Sequence, residues 1–279
     1  MKAPSKTGFT TTLARRGVLA AGLGAAGGGM ALLSTNARGE IAASSGQTLT
    51  NPLRPPSGVG GKFYPTGQVK EWPGNTIICP VGADTPLHEV LRSVQEAAMI
   101  QPVMRKFTLL PTSSLHMTLF EGVDLDHRRA PFWPAPVPLD APLSAVDQWC
   151  AARLRTFHTG GGLFQMRPDP DVDIQTVTDF TVRLAPATEA QERRLRTLRD
   201  RLSAVLQIRS PAHDRYRFHI TLGYLIDWLT PEEAERARQL FSAWGRRIAT
   251  AAPEFTIGPP EFCRFRDMFA FTPLLTLAD

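Results

Sequence analysis

The sequence predicts a mixed α+β (α/β) fold built from two related halves, and three observations carry that expectation. A strand, a capped helix and a second strand follow one another twice along the chain. Each second strand holds a His-x-Thr pair, in LHMTLF at 115–120 and in FHITLGY at 218–224. The threonine that caps each helix stands 31 residues before its histidine, Thr85 before His116 and Thr188 before His219. Equal spacing at an offset of 103 residues supports an internal duplication, although the apolar faces of the two helices run about one residue out of step under it.

Taken in order, the chain of 279 residues opens with a leader. Residues 1–37 hold Lys2, Lys6, Arg15 and Arg16, no acidic residue, and a weakly apolar stretch from Gly17 to Leu33 with small residues after it. That layout predicts an export signal cut after Ala37. Arg15-Arg16 ahead of Val18-Leu19 points to the twin-arginine export machinery, and so to a periplasmic or otherwise exported bacterial protein. Ala14 and Val18 depart from the residues usual in that motif. Six glycines within 17 residues leave the stretch short of the roughly 20 strongly apolar residues that a spanning helix needs, so no stable membrane anchor is expected. Its GLGAAGGG run has no strand before it, which excludes a dinucleotide fingerprint. Without the leader the net charge of +5 falls to +1, so the pI of about 9.4 says little about the substrate.

Residues 38–61, rich in Ser, Gly, Thr and Pro, read as a tether, and a single folded domain is expected over 62–279, with its halves around 62–123 and 179–227. Asn75 to Val81 reads as a strand. Thr85 and Pro86 open a helix whose apolar residues Leu87, Val90, Leu91, Val94 and Ala98 recur at helical spacing. Lys106 to Leu110 leads into the first motif strand. A Pro-rich insertion, 124–142, carries Phe132 and Trp133 and has the length of a lid or connection. A helix from about Leu143 to Leu154 follows. Asp179 to Leu184 is the next strand, Thr188 and Gln191 form a capping box, and Leu195, Leu198, Leu202 and Val205 mark the buried face of the helix. After the second motif strand, Thr230-Pro231-Glu232-Glu233 starts a helix that buries Leu240, Phe241, Trp244 and Ile248. The runs EFTI and FAFTPLLTL read as closing strands.

Residues two apart in a strand share a face. His116 therefore projects with Thr118, and His219 with Thr221 and Arg217, while Leu115, Met117 and Leu119 turn into the core and Tyr224 turns away from the histidines. Two such pairs suit phosphodiester chemistry. One neutral imidazole takes a proton from the attacking oxygen while the other, protonated, gives one to the leaving oxygen. Threonine hydroxyls donate to the non-bridging oxygens. Which histidine is acid and which is base does not follow from the sequence. Two other readings use the same residues: a cleft that holds a nucleotide without turnover, and a duplicated domain whose histidines merely pack.

The two motifs resemble the paired His-x-Thr/Ser motifs of the two-histidine (2H) phosphoesterase superfamily, the LigT-like group that includes 2′,3′-cyclic phosphodiesterases. The resemblance spans roughly Gly61 to Asp279. It implies a bilobal fold of two pseudo-symmetric lobes with antiparallel sheets lining a central cleft. It also implies His116 and His219 as catalytic residues, Thr118 and Thr221 as phosphate ligands, and a cyclic nucleotide or RNA-end phosphate as substrate. Arg217 is a further candidate for the phosphate. Neither a cofactor nor a metal is expected, and the protein is expected to be a monomer. The export signal and the Pro-rich insertion depart from the family pattern.

Other residues read more plainly. His88, His127 and His158 have no partner pattern and are expected in solvent; His213 lies near the second motif in a loop. Asp169, Asp171 and Asp173 have calcium-loop spacing, but Ile174 and Phe180 stand where an EF-hand needs Gly and Glu. Cys79, Cys150 and Cys263 form no CxxC; one disulfide or three buried thiols are both open. The basic run from Gln191 to Leu202 reads as a solvated helix face. No HExxH, Gly-x-Ser-x-Gly or Walker loop is present.

Overall fold

The computed structural model describes residues 54–169 and 177–277, all within the unit Gly46–Asp279. The expected export signal, most of the tether, and Asp171 and Asp173 lie outside the described residues. Along the chain run β1 (Gly74–Pro80), α1 (Pro86–Met99), β2 (Phe107–Leu109), β3 (His116–Asp124), α2 (Leu143–Leu154), β4 (Phe164–Pro168), β5 (Asp179–Pro186), α3 (Glu189–Leu206), β6 (His219–Leu225), α4 (Pro231–Ala251), β7 (Phe255–Ile257), β8 (Glu261–Asp267) and β9 (Ala270–Thr276). Among the described residues no helix is long and apolar enough to cross a membrane.

The helices start where their caps dictate. Thr85 accepts from the His88 amide, Thr188 from the Gln191 amide and Thr230 from the Glu233 amide. Only the last is a full capping box; the Gln191 side-chain oxygen is buried with no hydrogen-bond partner among the described residues. Each cap satisfies an amide that the first helical turn leaves unpaired, a gain of about 1 kcal/mol. Residues 54–61 of the tether fold onto the domain: Pro56 and Gly58 are buried, and the Arg54 carbonyl accepts from the Trp228 indole at 2.7 Å.

One curled antiparallel sheet runs through the molecule in the order β7-β4-β5-β6-β3-β1-β8-β9, with β2 also pairing β6. The two halves therefore do not carry separate sheets as expected: the motif strands β3 and β6 pair with each other at its centre, Met117 opposite Ile220. β2 pairs with β6 instead of leading straight into β3. Two strands escaped the sequence reading. β4 is short but alternates Phe164, Met166 and Pro168 inward, and β8 lies between the two closing runs.

The flanking strands repeat the offset of 103 residue by residue. On β1, Ile78 faces Thr118, Cys79 faces Met117 and Pro80 faces His116; on β5, Thr181 faces Thr221, Val182 faces Ile220 and Arg183 faces His219. The register shifts match as well. Ile77 faces Phe120 and Phe180 faces Gly223, so each motif strand holds one extra residue just beyond its threonine.

A bulge interrupts the ladder, and buried carbonyls at such a point need other donors. Arg199 of α3, 1% exposed, donates to the Leu119 carbonyl at 2.5 Å. Gln95 of α1, also buried, donates to the Leu222 carbonyl at 3.1 Å, alongside the Leu110 amide. Each helix thus reaches the motif strand of the other half. Arg199 is accordingly not on a solvated face. Beneath the motifs, Met117, Leu119, Ile220 and Leu222 join the core with Leu91, Val94, Leu198 and Leu202. Each fully buried leucine contributes roughly 1.5–3 kcal/mol.

Cys79, Cys150 and Cys263 are all free and buried; burial raises the thiol pKa of each, to about 12 for Cys150 and Cys263. Gly122 in β3 has no room for a side chain: a Cβ there would lie 2.3 Å from both the backbone and the side-chain oxygen of Asn75. Gly122→Ala is expected to cost roughly 2–3 kcal/mol through overpacking, read as a lower urea midpoint at unchanged m-value.

Candidate active site

The pairing of Met117 with Ile220 fixes the geometry of the site. One step to either side of that antiparallel pair sets His116 opposite Thr221 and Thr118 opposite His219. The four side chains share one face and form a square with the histidines on one diagonal. Diagonal residues on one face stand about 7–8 Å apart, which leaves room for one phosphate between the imidazoles. All four line a single cavity of about 360 Å³.

Both rings are held alike. His116 Nδ1 donates to the Ser114 carbonyl at 2.7 Å, and His219 Nδ1 donates to the Arg217 carbonyl at 2.8 Å. A carbonyl can only accept, so Nδ1 keeps its proton in both charge states and Nε2 is the atom that titrates. Burial pushes His116 down to about 4; the carbonyl bond opposes this, and positive charge on His219 and Lys62 adds to it. Burial also lowers His219. Arg183 and Lys62 act in the same direction on His219, while the Arg217 carbonyl and the Glu121 carboxylate favour its cation.

The bulges decide what else reaches the cavity. Leu119 and Phe120 both turn into the core, and Leu222 and Gly223 are both buried, so the alternation resumes one residue late. Glu121 and Tyr224, 103 residues apart, consequently line the cavity. An ideal strand would have turned Tyr224 away, as expected from the sequence. Glu121 accepts from Ser210 Oγ at 3.0 Å.

Lys62 is the further polar group that pattern reading missed. It lines the cavity with its ammonium 4.7 Å from the Tyr224 ring centre and 4.8 Å from that of Trp72, and it donates to the Tyr224 hydroxyl at 3.4 Å. Aromatic faces hold a cation without neutralising it. Tyr216 also lines the cavity; its ring lies 4.0 Å from the Arg199 guanidinium, and burial raises its pKa. The Pro-rich insertion contributes His127 and Phe132 to the cavity wall. His127 is half-buried on the Asp124 carboxylate at 2.8 Å, and so is not the solvated residue expected. His213, buried against Asp200 at 3.0 Å, is not among the cavity residues. Asp200, His213 and Asp214 cluster closely, but Arg209 pairs with both carboxylates there. Arg217 is exposed and lines a neighbouring cavity; only its carbonyl serves His219.

Residues 62–172 match a family model named 2H-phosphodiest and described as a domain of unknown function (DUF1868). A solved structure from Agrobacterium tumefaciens strain C58, the conserved protein of unknown function ATU0111, is 32% identical to this chain. The match covers 80% of this chain and 94% of that one, with a TM-score of 0.74. The two chains belong to one family. No curated protein matches the sequence. The segment matched by the 2H-phosphodiest model contains Lys62, His116, Thr118 and Glu121; His219 and Thr221 lie beyond it, on β6. The label points to phosphodiester chemistry and leaves the substrate open.

Proposed function

We propose that the protein is a metal-independent phosphodiesterase that opens a 2′,3′-cyclic phosphate on a small nucleotide or an RNA end. The observation that supports this most is the single antiparallel register that joins two His-x-Thr pairs into one patch within one cavity. His116, neutral through the physiological range, is the general base: its Nε2 takes a proton from water as the water oxygen bonds to phosphorus. His219 is the general acid: beside Glu121, its Nε2 gives a proton to the ribose oxygen as the P–O bond breaks. The product is a phosphomonoester. Thr118, Thr221 and Lys62 hold the non-bridging oxygens, where negative charge builds up in the transition state.

The repeated register and bulge, with α1 and α3 each serving the opposite motif strand, favour an internally duplicated fold as the origin of this symmetry. Export through the twin-arginine route would place the enzyme in the periplasm, where it would act on scavenged cyclic nucleotides or RNA fragments.

The test is turnover of 2′,3′-cyclic nucleotides by the purified chain in EDTA. Hydrolysis is expected. Tight binding without turnover would instead leave a nucleotide-binding module. The pH dependence is fixed in sign. The base must be neutral and the acid protonated, and both histidines titrate below the ordinary value of 6.5. The kcat/KM profile should be a bell that rises through about 4 and falls before 6.5. An optimum above pH 7.5 would remove this assignment.

A further inference from the structure

Beyond the scissile phosphate, we infer that the cavity beside His219 is a subsite for a second phosphate, making the substrate an oligonucleotide end and not a mononucleotide. The inference rests on the phosphodiesterase reading above. This second cavity, of about 350 Å³, is lined by Arg183, Arg196 and Arg217 against the acidic residues Asp169 and Glu192. Glu192 is paired with Arg196 at 2.7 Å, and Arg196 also donates to the Tyr216 carbonyl, so that pair is internally satisfied. Arg183 and Arg217 form no ion pair with any described residue.

Their positions tie the cavity to the catalytic patch. Arg183 faces His219 directly across the β5–β6 pairing, which puts it on the face that carries the histidines. Arg217 lies two residues before His219, with its carbonyl holding that ring. Both side chains line the same cavity; burial and then the Arg217 charge lower the Arg183 pKa, and the Asp179 carboxylate opposes them. Like charges that share a cavity repel, and a bound anion relieves that repulsion. Paired guanidinium groups are suited to the fork-like recognition of a phosphate. The counterpart of Arg183 on the other side of the site is Pro80, which faces His116 and carries no charge. The second anion is therefore expected on the His219 side only, one nucleotide from the phosphate that reacts.

The experiment compares a mononucleoside 2′,3′-cyclic phosphate with a dinucleotide that ends in the same group, using the full chain. The native protein should favour the dinucleotide in kcat/KM by about ten-fold or more, the range of one charge-assisted contact. In the Arg183→Gln, Arg217→Gln double variant that preference should fall close to one. The salt dependence for the dinucleotide should become shallower by about 0.7 in log–log slope, the loss of one single-strand phosphate contact. Equal use of both substrates by the native protein, or an equal loss on both in the variant, would overturn the subsite. Should neither substrate turn over, the phosphodiesterase reading fails by itself. The subsite is then judged by binding of the 3′-phosphorylated dinucleotide: native affinity at least ten-fold above the variant supports it, and equal affinity ends it. Should the double variant misfold, Arg217→Gln alone, at an exposed position, decides.

Discussion

Replacing either His116 or His219 with alanine should lower kcat on a 2′,3′-cyclic phosphate by about 10²–10⁴-fold, the usual worth of one positioned acid or base. The loss should fall on kcat more than on KM, because proton transfer belongs to the transition state. The double variant should be little worse than the poorer single one, since the two rings act on one proton inventory. Both side chains are only half-buried and each ring's Nδ1 bonds to a local carbonyl two residues back, so circular dichroism and the urea midpoint should change little. A variant that keeps a tenth of native turnover would remove its histidine from the chemistry.

Lys62→Met should lower kcat/KM by about 10²-fold, comparable to removing one donor from an oxyanion site. The methionine keeps an apolar stem against Trp72 and Tyr224 while removing the charge. Lys62 also helps to hold both imidazoles neutral, so its loss should move both limbs of the pH profile to higher pH. Lys62→Arg should recover part of the rate. An unchanged kcat/KM in Lys62→Met, with an unshifted profile, would make this lysine a packing residue.

Much of the candidate site was legible because strand alternation is local. The pairs His116/Thr118 and His219/Thr221 follow from a period of two, and the helix caps from side-chain chemistry at Thr85, Thr188 and Thr230. What lay beyond reading depends on contacts distant in sequence. Direct pairing of β3 with β6 joins residues about 100 positions apart and turned two expected lobes into one sheet. The bulges that bring Glu121 and Tyr224 into the cavity arise from register against β1 and β5, which leaves no mark on the motif itself. The one-residue slip between the helix faces did leave a mark: Gln95 and Arg199, 104 residues apart, serve Leu222 and Leu119 respectively, which are 103 apart. Arg199 looked like one more basic residue in a charged run until the freed carbonyl of Leu119 gave it a partner. Lys62 could not be found by pattern, because a lone lysine after a glycine-rich stretch carries no periodic signal.

The central claim is that both halves grip one phosphate. A crystal structure with a 2′- or 3′-nucleotide bound tests it most directly. The account predicts one phosphate within hydrogen-bonding distance of Nε2 of both His116 and His219, with the hydroxyls of Thr118 and Thr221 on its non-bridging oxygens. A nucleotide whose phosphate touches only one of the two motifs, or neither, would contradict it.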